Sequence, residues 1–179
     1  MDTLAVTLPQ MLAAREHRAG RQRELAAAHP HAAVVTVTVL TPGPVKDTAW
    51  ARQACEEGSA AITSLAQQRG WPIPHSELEP PAATGPTAFL ALTADPVAVK
   101  GALVELEDTH PIGRLWDLDV AGEHGPLSRT ELSLPPRRCL LCSEPAAACS
   151  RSRAHSLEAV LGAIDTILAG HGAARRRQP

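Results

Sequence analysis

The sequence contains very few aromatic residues: three tryptophans, one phenylalanine and no tyrosine in 179 residues. Proteins that bind single-stranded nucleic acid use aromatic side chains to stack against the bases, so this scarcity argues against that class of partner. The core must instead be built from alanine, valine, leucine and isoleucine. Because 44% of the residues are hydrophobic, a chain of this length can still form one compact domain.

Long apolar runs are also missing, since no stretch approaches the roughly 20 residues that span a membrane. The first residues lack the basic start, apolar run and small-residue cleavage site of a signal peptide. We therefore expect a cytoplasmic protein with no membrane partner.

Lysine is scarce as well, with two lysines against fifteen arginines and a formal net charge of −2. A charge so close to zero argues against binding duplex nucleic acid through the overall field, so we expect no nucleic-acid partner. Arginine, by contrast, suits bidentate binding of single phosphates and carboxylates.

Hydrophobic periodicity and turn residues predict an α+β protein. The predicted helices are 8–28, 46–69, one beginning near 97, and 156–169; the predicted strands are 33–40, 87–93, 114–120 and 126–132, with the last two forming a hairpin. Residues 71–83 are proline-rich and allow at most a short edge strand. The pattern at 102–107 leaves helix and strand both open.

This order of elements favours a single-domain sandwich, in which helices cover a mixed or antiparallel sheet over residues 1–172. Residues 173–179 are expected to form a disordered basic tail. A ferredoxin-like core, with additional N- and C-terminal helices, would require one element to be assigned differently.

Two aspartates in the predicted strand 114–120 give the first candidate site. Asp117 and Asp119 are two residues apart, so in a strand they point to the same face. A divalent cation such as Mg²⁺ would explain two ionised carboxylates side by side, and it would withdraw charge from a phosphoryl group. Alternatively, both are solvent-facing residues opposite a core-facing set, Trp116, Leu118 and Val120. Arg114 and Arg129 in the same hairpin could bind phosphates or pair with these aspartates.

A second candidate site has three cysteines and one histidine, Cys139, Cys142, Cys149 and His155. This ligand set is that of a four-coordinate structural zinc site. The spacing between the second and third ligands is short for common zinc fingers, so packed or unmetallated thiols are the alternative. The flanking arginines could form an anion site or a solvated basic loop; they are Arg137, Arg138, Arg151 and Arg153.

Single residues add weaker indications. Lys46 follows a glycine turn at a helix start but lacks the pattern of a phosphate-binding P-loop. His110 could act as a general base because its ordinary pKa suits neutral pH, or it could simply cap a turn.

Five blocks of sequence, spread in order over about residues 7 to 165, resemble one known family. They are Arg15-Glu16-x-Arg18-x2-Arg21-Gln22; Pro42-Gly43-Pro44-x-Lys46-Asp47; Glu105-x-Glu107-x2-His110-Pro111-x-Gly113-Arg114-Leu115-Trp116-Asp117-x-Asp119-Val120; Ser128-Arg129; and Arg138-Cys139-Leu140-x-Cys142-x3-Ala146-x2-Cys149-x-Arg151-x3-His155. The family is that of the apo-citrate lyase phosphoribosyl-dephospho-CoA transferases, also called citrate lyase holo-acyl-carrier-protein synthases.

The resemblance implies a nucleotidyl transfer. A serine of the citrate lyase acyl carrier protein, the gamma subunit, would attack 2'-(5''-triphosphoribosyl)-3'-dephospho-CoA and release pyrophosphate. Such a reaction needs a cation, a base and charge stabilisation of the leaving group. The matching candidates are Asp117 and Asp119 for Mg²⁺; His110 or Glu105 for the base; Arg114, Arg129 and Arg138 for pyrophosphate; and Lys46 and Arg15 as further substrate contacts.

Two alternatives to this function remain open. One is a zinc-stabilised interaction protein without catalytic activity, and the other is the equivalent transferase for malonate decarboxylase. In either transferase, the arginines of the first helix could attract an acidic carrier protein.

Overall fold

A computed structural model describes residues 5–123 and 125–175 and folds them into five α-helices, one 3-10 helix and five strands. The helices are α1 (Leu8–Ala28), α2 (Ala49–Arg69), α3 (Pro96–Thr109), α4 (Ala146–Ser152) and α5 (Leu157–Arg175), with the 3-10 helix at Gly113–Leu115. The strands are β1 (Ala33–Val39), β2 (His75–Leu78), β3 (Ala88–Leu92), β4 (Trp116–Gly122) and β5 (Gly125–Leu127).

The strands form one antiparallel sheet in the order β2-β3-β1-β4-β5. The run β1-α2-β2-β3-α3-β4 has the connections and strand order of a ferredoxin-like core, and β5 adds a strand outside β4. The predicted α+β fold with an antiparallel sheet is therefore confirmed. The ferredoxin-like alternative also holds, because residues 75–78 form the short edge strand that the proline-rich segment allowed.

The sheet lies between two helical layers. One face packs Val35, Val37 and Leu90 against α2, α3 and α5 in the main core cluster. The other face packs Val34 and Phe89 against α1. Strand β1 is covered on both sides, which explains its continuous run of β-branched residues.

Cap residues set the starts of three helices. Thr7 forms a capping box with Gln10 at the start of α1, Thr48 caps α2, and Asp95 caps α3 immediately before a proline. Gly70 ends α2 with a φ of 68°, a left-handed conformation that glycine adopts at little cost.

Several boundaries differ from those expected. Helix α3 continues to Thr109, so residues 102–107 are helical; their pattern looked alternating because Glu107, a polar residue, is buried. Strand β5 has only three residues, and α4 was not predicted. Helix α5 extends to Arg175, into the expected tail, while residues 176–179 of that tail lie outside the described residues.

Within the described ranges, no helix combines the length and the hydropathy required to cross a membrane.

Candidate active site

A cleft of about 1040 Å³ opens where the C-terminal end of β1 meets the 3-10 helix, the segment 137–155 and the start of α5. Its volume is at the upper end of those found for small-molecule sites. Side chains from α1 and from the loop at residues 84–87 complete the walls. The cleft is therefore large enough for a nucleotide-sized ligand.

The cleft lining is strongly basic. Six arginine and lysine residues contribute to it, against Asp117 as the one carboxylate among the described lining residues. The basic residues are Arg18, Lys46, Arg114, Arg137, Arg138 and Arg153. Since the whole chain carries a net charge of −2, this concentration of positive charge is local and favours a multiply charged anion.

Lys46 enters the cleft from the loop that follows β1. Its ammonium group donates to the backbone carbonyl of Thr41 at 2.5 Å, and partial burial lowers the pKa of Lys46. Gly43 makes the turn in this loop with a φ of 84° and lies against Leu157 of α5. The glycine turn identified in the sequence thus places the lysine in the basic lining of the cleft.

Arg114 and the segment 137–138 are joined by reciprocal hydrogen bonds. The Arg114 guanidinium donates to the carbonyl of Arg138 at 2.5 Å, and Arg137 donates to the carbonyl of Arg114 at 2.7 Å. Arg137 also lies 3.3 Å from the Asp117 carboxylate. These contacts connect the 3-10 helix to the chain just before the cysteine cluster.

Glu107 is a buried carboxylate whose role the sequence analysis did not identify. It is 3% exposed and accepts hydrogen bonds from the backbone N–H of Leu118 at 2.9 Å and from the Arg129 guanidinium. Arg137 approaches its other side at 4.0 Å. The sequence signal was the carboxylate spacing Glu105-x-Glu107, but only the fold shows which of the two faces inward.

Asp117 and Asp119 project from the same face of β4, opposite Thr38 and Thr36 of β1. The core-facing set on this strand, Trp116, Leu118 and Val120, is buried as expected. Asp117 lines the cleft, and Asp119 lies one pleat further along the strand. Desolvation, followed by repulsion from Asp117, raises the pKa of Asp119. Two carboxylates on one face could hold a divalent cation.

His110 lies outside the cleft lining, at the end of α3. Its Nδ1 accepts a hydrogen bond from the backbone N–H of Ile112 at 3.3 Å, which is the turn-capping arrangement considered above. The ring stacks on Trp116 with the centroids 4.4 Å apart, and burial lowers the pKa of His110.

The remaining predicted residues are also outside the cleft lining. Glu105 is exposed on α3, 3.9 Å from Arg69. Arg129 is paired with Glu107, and Arg15 is exposed on α1. Of the predicted catalytic and substrate-binding residues, the cleft thus contains Lys46, Arg114, Arg138 and Asp117.

The four predicted zinc ligands converge. The candidate ligand atoms of Cys139, Cys142, Cys149 and His155 all lie within 4.8 Å of one another. The Cys142 sulfur is 3.5 Å from that of Cys149 and 3.3 Å from Nε2 of His155. Desolvation opposes ionisation of Cys139, but hydrogen bonds from the backbone of Leu141 and Cys142 outweigh it and lower the pKa of Cys139 to about 7. This cluster could bind a metal such as zinc.

An α+β fold with a basic cleft beside a carboxylate-bearing strand is the arrangement expected of an enzyme that acts on phosphorylated ligands. Comparison with known proteins makes this assignment specific. The profile of the family described as apo-citrate lyase phosphoribosyl-dephospho-CoA transferase matches residues 6–171. The chain belongs to this family.

Individual relatives agree with the family match. A protein from Escherichia coli O1:K1 / APEC, named apo-citrate lyase phosphoribosyl-dephospho-CoA transferase, is 41% identical over 165 residues, covering 92% of this chain and 89% of the relative. A protein of the same name from Shigella boydii serotype 18 (strain CDC 3083-94 / BS512) shows the same identity and the same coverage.

Proposed function

We propose that this protein transfers the 2'-(5''-phosphoribosyl)-3'-dephospho-CoA group from its triphosphate precursor to a serine of the citrate lyase acyl carrier protein. The serine oxygen forms a bond to the α-phosphorus, the bond from that phosphorus to the β-phosphate oxygen breaks, and pyrophosphate leaves. The serine proton passes to a base. Family membership supports the identity of the two substrates. The structural observation that carries the proposal is the basic cleft.

The cleft residues supply the charge that this reaction requires. Lys46, Arg114 and Arg138 are proposed to bind the triphosphate and stabilise the departing pyrophosphate, with Arg18 and Arg153 on the same walls. Arg129 acts indirectly, through its contact with Glu107. The partly desolvated ammonium of Lys46 favours contact with phosphate because fewer bound waters must be displaced.

Asp117 and Asp119 are proposed to hold Mg²⁺, which would neutralise phosphate charge when bound. The candidates for the base are the two from the sequence, His110 and Glu105, both of which lie outside the cleft lining. Single substitutions of these two residues, compared by single-turnover rate, separate the candidates.

We assign a structural zinc ion to the cluster of Cys139, Cys142, Cys149 and His155. The four convergent ligand atoms and the backbone hydrogen bonds to the Cys139 sulfur support this assignment. The cytoplasmic location remains a prediction.

The decisive experiment combines purified protein, Mg²⁺, the triphosphate precursor and apo-carrier, and weighs the carrier by mass spectrometry. We expect a covalent adduct on the citrate lyase carrier and release of one pyrophosphate per adduct. The matched control variant is Arg69→Gln, an exposed arginine outside the cleft, which should retain activity, whereas Arg114→Gln should lose most of it. Modification of a malonate decarboxylase carrier alone would identify the protein as the equivalent transferase for that enzyme. If neither carrier gained an adduct, the remaining alternative would be the non-catalytic interaction protein.

A further inference from the structure

The Cys₃His cluster forms part of the wall of the basic cleft. Cys139, Cys149 and His155 line the cleft directly, in the same segment as Arg138 and Arg153. Each of these arginines is within two residues of a ligand along the chain. A structural metal site is commonly separated from the substrate site, but here the cluster and these arginines form parts of the same cleft wall.

Apolar burial in the segment 137–155 is limited mainly to Cys149 and to Leu140, which is half-buried against the main core. Among its residues only Cys149 is buried, and its helix, α4, has seven residues. Hydrogen bonds from the N–H of Cys139 to Glu144 and from that of Ala146 to Arg137, both 2.8 Å, close one small loop. A segment with so little apolar burial gains most of its order from the cross-link that a bound metal provides.

The same segment also positions Arg114, a cleft residue of the 3-10 helix. The carbonyl of Arg138, next to the first cysteine, accepts the hydrogen bond from Arg114, and Arg137 donates to the carbonyl of Arg114. Loss of order at residues 137–138 would therefore displace Arg138 and remove the hydrogen bond that orients the Arg114 guanidinium, leaving Arg114 only its ion pair with Asp108 at 3.5 Å.

We infer that metal binding at the Cys₃His cluster assembles the anion-binding wall of the cleft. Binding of a polyphosphate then depends on the metal, whereas folding of the sheet and its main core does not. The inference rests on the proposed function, because it assumes that the cleft binds a triphosphate. The dependence is reciprocal: a bound triphosphate also stabilises the metal-bound segment, as linkage requires.

The test measures binding of ATP, which carries a terminal triphosphate, to the full chain by equilibrium dialysis with Mg²⁺ present. Three samples are compared: zinc-loaded protein, protein stripped by a chelator that is then removed, and the variant Cys142→Ser. The matched control is Cys55→Ala, which removes the one cysteine outside the cluster, a buried residue of α2. Hydrogen exchange then compares the segment 137–155 with strand β1 in every sample.

We expect the stripped protein and Cys142→Ser to bind ATP at least about tenfold more weakly than zinc-loaded protein, as loss of even one or two charge-assisted contacts would give. Cys55→Ala should match the zinc-loaded wild type. Exchange protection should be lost in 137–155 and kept in β1. Arg138→Gln with zinc bound should weaken ATP binding while leaving the segment protected.

Four results would overturn the inference: no uptake of zinc, no ATP binding by zinc-loaded protein, equal ATP affinity with and without zinc, or loss of protection in β1 together with 137–155. Failure of the proposed function has a different signature. In that case zinc-dependent ATP binding is observed but neither carrier is modified.

Discussion

At the scale of single residues, Glu107 connects the core to the cleft. Its buried carboxylate fixes Leu118 of β4 through the backbone and holds Arg129, while Arg137 extends from it to Asp117. A buried carboxylate with two cations nearby is costly to disrupt, because loss of its charge deprives the Arg129 guanidinium of the carboxylate that pairs with it.

Replacement of Glu107 by glutamine tests this role. The amide can still accept from Leu118, but it loses the charge that holds Arg129 and Arg137, so we expect a loss of about 2 kcal/mol in the free energy of unfolding. We also expect a higher KM for the triphosphate as Arg137 shifts. Urea denaturation and steady-state kinetics measure the two effects. In the matched variant Glu105→Gln the exposed carboxylate is lost, and stability should change by less than about 0.5 kcal/mol; an equal loss in both variants would contradict the assignment.

Ionised Asp119 should destabilise the folded protein, so its effect on stability should depend on pH. Because its pKa is raised in the folded protein, the folded state binds the proton more tightly than the unfolded state, and stability falls as pH rises through the aspartate range. We expect Asp119→Asn to be more stable than wild type at pH 7, with the difference vanishing below about pH 4. Urea midpoints at the two pH values measure this.

The control for Asp119 is its neighbour on the same face. Asp117→Asn removes the negative charge that pairs with Arg137 and should give no gain at pH 7. Should Asp119→Asn be destabilised at pH 7, Asp119 would be a paired structural residue rather than a carboxylate retained for function.

At the scale of elements, the sharp turn from α3 into β4 depends on Gly113. A Cβ at this position would lie 2.6 Å from the backbone oxygens of both Leu106 and Glu107, so neither a rotamer change nor a flexible neighbour can relieve the contact. This glycine allows the chain to pass close to the end of α3 and directs Arg114 toward the cleft.

We expect Gly113→Ala to lower the free energy of unfolding by about 3 kcal/mol, since overpacking against backbone is hard to relieve. Gly101 on the exposed side of α3 has no atom within 4 Å of an added Cβ. Gly101→Ala should therefore raise stability by about 0.5–1 kcal/mol through helix propensity. Thermal and urea unfolding of both variants check the pair, and similar losses in the two would refute the steric argument.

Elements with a strong periodic pattern could be predicted from the sequence, and those determined by distant contacts could not. Strand β1 is evident because β-branched residues suit a strand covered on both faces. Helix α3 looked ambiguous because Glu107 is a buried polar residue; its partners, Leu118 and Arg129, lie farther along the chain. The basic wall was predictable only in part, since Arg137 and Arg153 became candidates as members of a flanking basic loop and not as cleft residues.

At the scale of the whole molecule, the arginines of α1 divide between two surfaces. Arg18 lines the cleft, whereas Arg21 makes a bidentate pair with Glu77 of β2 at 2.7 and 2.8 Å. Arg15 and Arg23 are exposed to solvent. The first helix therefore contributes one arginine to the cleft lining, pairs another with the sheet, and leaves the remaining two exposed, where we propose that they attract the carrier.

This division predicts separable effects on the two substrates. Arg18→Gln should raise the KM for the triphosphate and leave that for the carrier nearly unchanged, because it removes a cation from the cleft wall. The double variant Arg15→Gln and Arg23→Gln should raise the apparent KM for the carrier and flatten its dependence on salt, because exposed charges act on a charged partner through a field that salt screens beyond about 8 Å at physiological ionic strength. Steady-state kinetics at several salt concentrations, with each substrate varied in turn, measure both effects. If the double variant instead weakens only the triphosphate, the exposed face of α1 belongs to the active site and the carrier docks elsewhere.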